Sequence, residues 1–590
     1  MGPAVASLDK ILQLIDAGMN VARINFSHGT QAEHRLVIQW LKEARQQCKC
    51  PLAIMLDTKG PEIRVGKIKG GQIAFEAQQK VLLVKEDTEG THEKIQIIPG
   101  MVLDSVKVGT TILFDDGYIS SIVLEKSARG ILVEIQNPGV LKSQKGVNIP
   151  HTPIELPAMT KQDIDDIIFG CKEDVDIIAA SFIRSAEHVL EIKRLLIEQG
   201  KSDILVMAKI ENSLGVENID SIIQVADGIM VARGDLGVEL PLKQVPVLQK
   251  MMIRKCYQAC KPVVTATQML ESMIQNPRPT RAEVSDVANA IYDGTSAVML
   301  SGETAVGKYP VETVAMMRSI VQEAEKDFDY RDFFEHASKK DYPDISSSVA
   351  LATVKTAYSA NAQAIFAFTN SGSTARLLSR FRPKIPLIAL TPNPKIYHQL
   401  ASNWGVIPVD PTDCKNVQQA FETVSCFALK KGIVQYGDLV VVTAGTPFGI
   451  TGTTNTMVVE SIGDVVVRGI PGFGTRIHGR VVVVRSAEEQ RQKNTNDCIV
   501  VIARCNDSYL PLLKHCLGIV LQNEPEDEAS EKHAFLVAKT LDISIVVRAA
   551  GAINLLKDGQ QVTLDPQKGI VYKGSIGSNE EMIPLMCPSP

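Results

Sequence analysis

The feature that most constrains this chain is a repeated alternation of short apolar runs with amphipathic helical segments. Residues 11–26 read as a helix and then a strand. Ile11, Leu12, Leu14 and Ile15 share one helical face, Gly18 ends the helix, and 21–26 is short and strand-like. A helical pattern at 34–48 is followed by the buried-strand run 52–56. The alternation resumes with apolar runs at 175–180, 204–209, 229–231, 262–265 and 297–300, each before a helical pattern. Repeated strand–helix units predict a parallel sheet covered on both faces. So many units favour a closed β/α barrel over an open sheet.

The rhythm breaks between 64 and 144, where short β-type runs (72–75, 80–84, 111–114, 119–124, 130–134) and turns such as Asp116-Gly117 predict a small inserted all-β domain. A polar connector falls near 331–345, α/β patterning restarts, and Pro471-Gly472-Phe473-Gly474 marks another boundary. The expected organisation is a (β/α)8 TIM barrel over 1–63 and 145–330, an inserted β domain over 64–144, an α/β domain over 346–468, and a mixed β-rich module over 475–590. With 590 residues, 45 % hydrophobic and 22 % charged, there is material for several cores. A net charge of −5 implies no general attraction to nucleic acid, so any anion site must be built locally. No apolar run reaches membrane-spanning length and no signal pattern opens the chain, which predicts a cytoplasmic protein. The eleven cysteines are scattered without facing CxxC pairs; Cys48 with Cys50, or Cys256 with Cys260, could ligate metal, but reduced core thiols are expected.

A β/α barrel carries its active site at the C-terminal ends of its strands. There the sequence places Arg23, Asn25 and Ser27; Asp57, Thr58 and Lys59; Lys209 and Glu211; Arg233, Gly234 and Asp235; and Thr265 and Thr267. Each alone has an ordinary structural explanation: an Asp after a strand caps a helix, a Lys is solvated, a Thr fills a strand end. Their joint occurrence at one rim points to chemistry, because charge near a barrel mouth is costly unless it pairs or binds something. Glu211 and Asp235 are hard oxygen donors suited to Mg²⁺ (or Mn²⁺). Lys209, two positions before Glu211 on a strand, points to the same face. Gly234 leaves the backbone open to an approaching carboxylate, and Arg23 offers a planar fork to phosphate oxygens. Thr369-Asn-Ser-Gly-Ser-Thr374 follows an apolar run, and such a loop before a helix presents amides and hydroxyls to a phosphate.

Six segments, in order, resemble the pyruvate kinase family: Met19-Asn-Val-Ala-Arg-Ile-Asn-Phe-Ser-His-Gly29, Leu56-Asp-Thr-Lys-Gly-Pro-Glu-Ile-Arg64, Ala208-Lys-Ile-Glu-Asn212, Asp227-Gly-Ile-Met-Val-Ala-Arg-Gly-Asp-Leu-Gly237, Ala266-Thr-Gln-Met-Leu-Glu-Ser-Met273 and Val298-Met-Leu-Ser-Gly-Glu-Thr-Ala305. The resemblance covers about residues 2–465. It implies phosphoryl transfer from phosphoenolpyruvate to ADP in glycolysis, giving pyruvate and ATP, on a barrel with a mobile β domain, a regulatory α/β domain and a homotetrameric assembly. By that likeness Arg23, Lys209 and Thr267 are catalytic, and Arg23, Lys209, Gly234, Asp235 and Thr267 bind substrate. Glu211 and Asp235 hold Mg²⁺, while Asn25, Ser27, Asp57 and Thr58 hold K⁺. Asn25, His28, Arg64 and Lys145 contact nucleotide phosphates. Members with Glu at the Glu62 position tend to need K⁺. The loop Thr369, Ser371, Gly372, Ser373 and Thr374 resembles the family's effector site for phosphorylated ligands, with 443–452 as a possible cover.

Three departures accompany the resemblance. Family members carry about ten further residues, an apolar first strand, before Met1-Gly2-Pro3-Ala4. Without that strand the barrel keeps an open edge. The expectations are a shortened start, another segment filling the gap, or a catalytically impaired metabolite sensor. Ser296 stands where the family often has Asp. Residues 475–585 resemble the swivel domain of phosphoenolpyruvate-utilising enzymes, carried by 543–547 and 555–564. Glu524-Pro-Glu-Asp-Glu-Ala-Ser-Glu-Lys-His-Ala534, however, lacks the glycines of a phosphohistidine segment and crowds His533 with acids. Acids repel incoming phosphate, so a structural role is expected there rather than phosphotransfer.

Overall fold

The computed structural model describes residues 1–574 apart from 151, 153, 155, 341, 343, 412–413, 415–416, 446–453 and 492. The chain forms two compact units. The first takes Met1–Ser347, Thr369–Lys384 and Thr391–Asp410; the second takes Ser348–Phe368, Ile385–Leu390 and Pro411 onward.

The first unit is built on seven parallel strands: β1 (Val21–Asn25), β2 (Ala53–Asp57), β3 (Ile177–Ala180), β4 (Leu205–Ile210), β5 (Gly228–Ala232), β6 (Val263–Ala266) and β7 (Ala297–Val298). They pair in chain order, the order of a β/α barrel with helices between successive strands. Strands β2 to β6 are buried along their whole length, except for half-buried Leu205, as continuous apolar runs covered on both faces require. The helix Leu8–Ala17 ends where predicted, at Gly18, whose φ of 121° suits glycine alone. The helix predicted over 34–48 begins earlier, at Gln31, because Thr30 and Glu33 form a reciprocal capping box.

Strands β1 and β7 end the sheet. A cavity of about 400 Å³ is lined by residues of both, Val21 and Ala297 among them, with Met55, Met230 and Val264 also on its wall. The Met1 ammonium donates to the Arg23 carbonyl oxygen at 2.6 Å.

The domain inserted after β2 is built of strands, one at every predicted run and four more, Arg64–Val65, Lys94–Ile98, Gly139–Lys142 and Val147–Asn148, and the helix Lys161–Lys172 leads from it back to β3. Its main sheet begins at Arg64–Val65 and finishes at Val147–Asn148. The Arg64–Gly146 bridge joins those two ends, so the two connections back to the barrel lie side by side.

In the second unit Leu387–Leu390, Ala364–Phe368 and Leu439–Gly445 run parallel, and Thr454–Ser461 adds antiparallel. A further seven-stranded sheet closes the chain. It takes in Val465–Arg468, upstream of the expected start at 475. The part of the 443–452 stretch from 446 on lies outside the described residues. No helix among the described residues is long and apolar enough to cross a membrane.

Candidate active site

The strand ends converge on the Lys209 ammonium. Its Nζ lies 3.0 Å from Asp57 Oδ1, 3.0 Å from Glu211 Oε1 and 2.6 Å from Ser181 Oγ. Three strands, β2, β3 and β4, thus direct one carboxylate, one hydroxyl and one carboxylate-plus-ammonium pair into a single buried cluster. Burial alone would push the lysine towards neutrality, but the charges of Asp57 and Glu211 outweigh it and hold its pKa above the ordinary value. Asp57 behaves in the opposite sense. Burial raises it, and the Arg23 and Lys209 charges more than reverse this, so its carboxyl sits below the usual range. The Arg23 Nε donates to Asp57 Oδ2 at 2.5 Å.

Asp235 opens a short helix, Arg233–Glu239, directly after β5. Its carboxyl is pushed up to about 7, first by burial and then by the charge of Glu211. The Lys209 ammonium only partly offsets this repulsion, and the oxygen-donor chemistry of the two carboxylates suits a small divalent ion. Glu211 also accepts the Phe182 N–H at 2.6 Å through Oε2.

Thr267 lies one residue beyond β6 rather than within it, with φ of 69°. A β-branched residue in the left-handed region is a genuine outlier. Its hydroxyl donates to the Ala266 carbonyl at 2.6 Å and accepts the Gly234 N–H at 2.8 Å. Arg233 braces this turn from behind, donating to the Ala266 and Thr267 carbonyls and to Asp286. A Cβ on Gly234 would lie 3.5 Å from Thr267 Oγ1, an ordinary contact. Packing within the protein therefore does not demand glycine, which leaves its open side for a ligand.

A cleft of about 400 Å³ is lined by His28, Arg64, Lys145 and Asp235. Arg64 pairs with Glu62, and the Lys145 Nζ lies 2.7 Å from Asp115. Asn25 is not among the described residues lining that cleft; its Oδ1 accepts the Ser27 N–H at 3.1 Å. Of the expected K⁺ donors, Asn25 and Asp57 are register partners at the ends of β1 and β2, while the Thr58 hydroxyl accepts the Ser181 N–H at 3.1 Å. Asp57 is engaged by Arg23 and Lys209 as well.

This constellation occupies positions that the pyruvate kinase likeness marked. Residues 1–314 match the family described as pyruvate kinase, barrel domain, and 347–460 match pyruvate kinase, alpha/beta domain. A curated pyruvate kinase from Geobacillus stearothermophilus is 44 % identical over 577 residues, 97 % of either chain. The chain belongs to the pyruvate kinase family. The pyruvate kinase of Bacillus licheniformis is 42 % identical and that of Staphylococcus aureus strain MRSA252 41 %, each over 97 % of this chain and 98 % of its own. Residues 494–569 match PEP-utilising enzyme, mobile domain, the likeness expected of the tail.

Sequence reasoning missed Ser181, Phe182 and the bracing role of Arg233. Ser181 directly follows β3, so the strand-end rule applied there would have found it. Nothing in the sequence signals the contact from the Phe182 amide. Ser296, unexplained from sequence, accepts from the Val263 N–H and from Arg382 Nη2, both at 3.2 Å. Among the described residues no group of three or more His, Cys, Asp or Glu gathers as a metal site. His533 lies inside the helix Glu528–Leu541, with its Nε2 3.6 Å from Asp507. In the remaining loop, Gly372 (φ 77°) caps Ser373–Ser379, the Ser371 hydroxyl donates to Ser373 Oγ at 3.1 Å, and Thr369 and Thr374 are buried.

Proposed function

We propose that this chain transfers the phosphoryl group of phosphoenolpyruvate to ADP, giving pyruvate and ATP. The observation that carries this is the buried Lys209 ammonium beside two carboxylates at the barrel rim, with the strained Thr267 across from them. Phosphoryl transfer asks chiefly for positioning and charge neutralisation. As the bond from phosphorus to the enol oxygen breaks and one to the ADP β-phosphate forms, Lys209 stabilises the charge in transit. Arg23, fixed through Nε by Asp57, supplies further donors to phosphate oxygens. Gly234 admits the substrate carboxylate. Thr267 orients the proton, delivered through water, that converts the enolate to pyruvate, while Arg233 keeps the hydroxyl in place.

Glu211 and Asp235 would hold Mg²⁺ or Mn²⁺, whose charge neutralises substrate oxygens. Asn25, Ser27, Asp57 and Thr58 would hold K⁺, sharing Asp57 with Arg23 and Lys209. Asn25, His28, Arg64 and Lys145 take the nucleotide phosphates. The loop Thr369–Thr374 receives a phosphorylated effector acting between states of a homotetramer in the cytoplasm. The intact Lys209, Glu211, Asp235 and Thr267 give no support to an impaired metabolite sensor. The test is pyruvate formation from phosphoenolpyruvate and ADP, followed by a coupled assay, with Mg²⁺ and K⁺ supplied and omitted in turn. Robust turnover needing both ions is expected; a purified, folded chain that forms no pyruvate would overturn the assignment.

A further inference from the structure

We infer that Ser181 is a positioning residue for Lys209, holding the ammonium in place when Glu211 turns to a divalent ion; this rests on the phosphoryl-transfer reading above. An ammonium has three N–H donors. Here they meet three acceptors, Asp57 Oδ1 and Glu211 Oε1 at 3.0 Å each and Ser181 Oγ at 2.6 Å. Glu211 is the acceptor with a competing task, and once it faces a metal only Asp57 and Ser181 remain. Asp57 is drawn in another direction by Arg23 at 2.5 Å. Among the described residues Ser181 accepts from no other cation.

The hydroxyl is built for this. It has one proton, donated to the Thr58 carbonyl at 2.6 Å with Asp57 Oδ1 as a longer second acceptor at 3.2 Å, leaving its lone pairs to Lys209. Its own N–H donates to Thr58 Oγ1 at 3.1 Å, and the residue is only 3 % exposed. Phe182 follows in the left-handed region at φ 56°, which a bulky side chain rarely adopts. That conformation accompanies the donation of the Phe182 N–H to Glu211 Oε2 at 2.6 Å. The dipeptide therefore grips both partners of the Lys209–Glu211 pair. A packing serine needs none of these bonds. Being neutral, the hydroxyl holds the ammonium without adding negative charge where a phosphate must arrive.

The experiment is a double-mutant cycle on Ser181→Ala and Lys209→Met in the full chain. Loss of one acceptor to an ammonium should lower kcat about 10- to 100-fold, with KM for phosphoenolpyruvate within about threefold. Free Mn²⁺ measured by electron paramagnetic resonance, without substrate, should show about three- to tenfold weaker binding, because Lys209 then competes harder for Glu211. In the Lys209→Met background Ser181→Ala should change neither quantity. Ser181→Cys keeps the shape with a weak acceptor and serves if the alanine variant fails to fold. Parent-like kcat and Mn²⁺ affinity in Ser181→Ala, or effects that simply multiply in the double variant, would overturn the inference. If the parent makes no pyruvate, the phosphoryl-transfer reading fails, while the Mn²⁺ cycle still decides the role of Ser181.

Discussion

Replacing Lys209 by Met should damage the fold and the chemistry together, and the two effects separate by pH. Methionine fills similar space but removes the charge that faces Asp57 and Glu211 at 3.0 Å. Asp57 keeps Arg23, whereas Glu211 keeps only the Phe182 N–H. Breaking a buried pair by deleting one partner costs about 3–5 kcal/mol, and the surviving Arg23 places this case near about 3 kcal/mol. Asp57 has a folded pKa below its unfolded one. Its stabilisation is therefore present above the unfolded value and is lost as pH falls through the folded value. Lys209 is raised, so its contribution holds below the unfolded lysine value and is lost only as pH rises through the folded one. Between these limits the parent enjoys both. The variant's deficit should be full at pH 7 and shrink by about pH 3, below the unfolded aspartate value, as Asp57 takes up its proton. Hydrogen–deuterium exchange of peptides from β2 and β4, at matched intrinsic exchange, reads this locally. Turnover should fall about 100- to 1,000-fold. A protection loss equal at both pH values, or activity within tenfold of the parent, would refute the reasoning.

Glu62→Lys should lessen the K⁺ requirement by tethering an ammonium near the site, at the expense of the Glu62–Arg64 pair; a parent already fully active without K⁺ sinks both this and the K⁺ donors. Ser371→Asp with Ser373→Asp should remove activation by a phosphorylated sugar or nucleoside monophosphate, since fixed carboxylates repel phosphate. These half-buried serines are better targets than buried Thr374, and a normal response in the double variant refutes the effector site. Ser296→Ala should lower stability by about 1–2 kcal/mol in urea, because the Val263 N–H and Arg382 Nη2 lose a shared acceptor; an unchanged midpoint argues against that role.

Periodicity carried most of the barrel. Strands buried on both faces are continuous apolar runs, and 175–180 or 204–209 could hardly be read otherwise. The last strand was harder. Predicted over 297–300, it pairs only through Ala297–Val298, because a sheet end lacks the neighbour that would extend it. Lys94–Ile98 and Gly139–Lys142 escaped notice because their β-character depends on partners elsewhere in the inserted domain. At the site, the charged strand-end residues were legible from position alone. Thr267 was legible as a residue but not as a strained one, since positive φ at a β-branched position is imposed by tertiary bonds such as those from Arg233. Ser181 is chemically bland in sequence, and only its neighbours give it meaning.

The tail matches a family whose description includes the word mobile, yet here it is fastened. Within the second unit Tyr572 donates to the Tyr436 carbonyl at 3.0 Å, Arg468 to the Gly437 carbonyl at 2.8 Å, and Lys568 reaches Asp438 at 3.2 Å. At Gly437 (φ 84°) even a methyl group would stand 2.2 Å from the Tyr572 hydroxyl. Shortening the chain at 464 would remove the three residues that clasp the turn before Leu439–Gly445, baring Tyr436 and its neighbours to solvent.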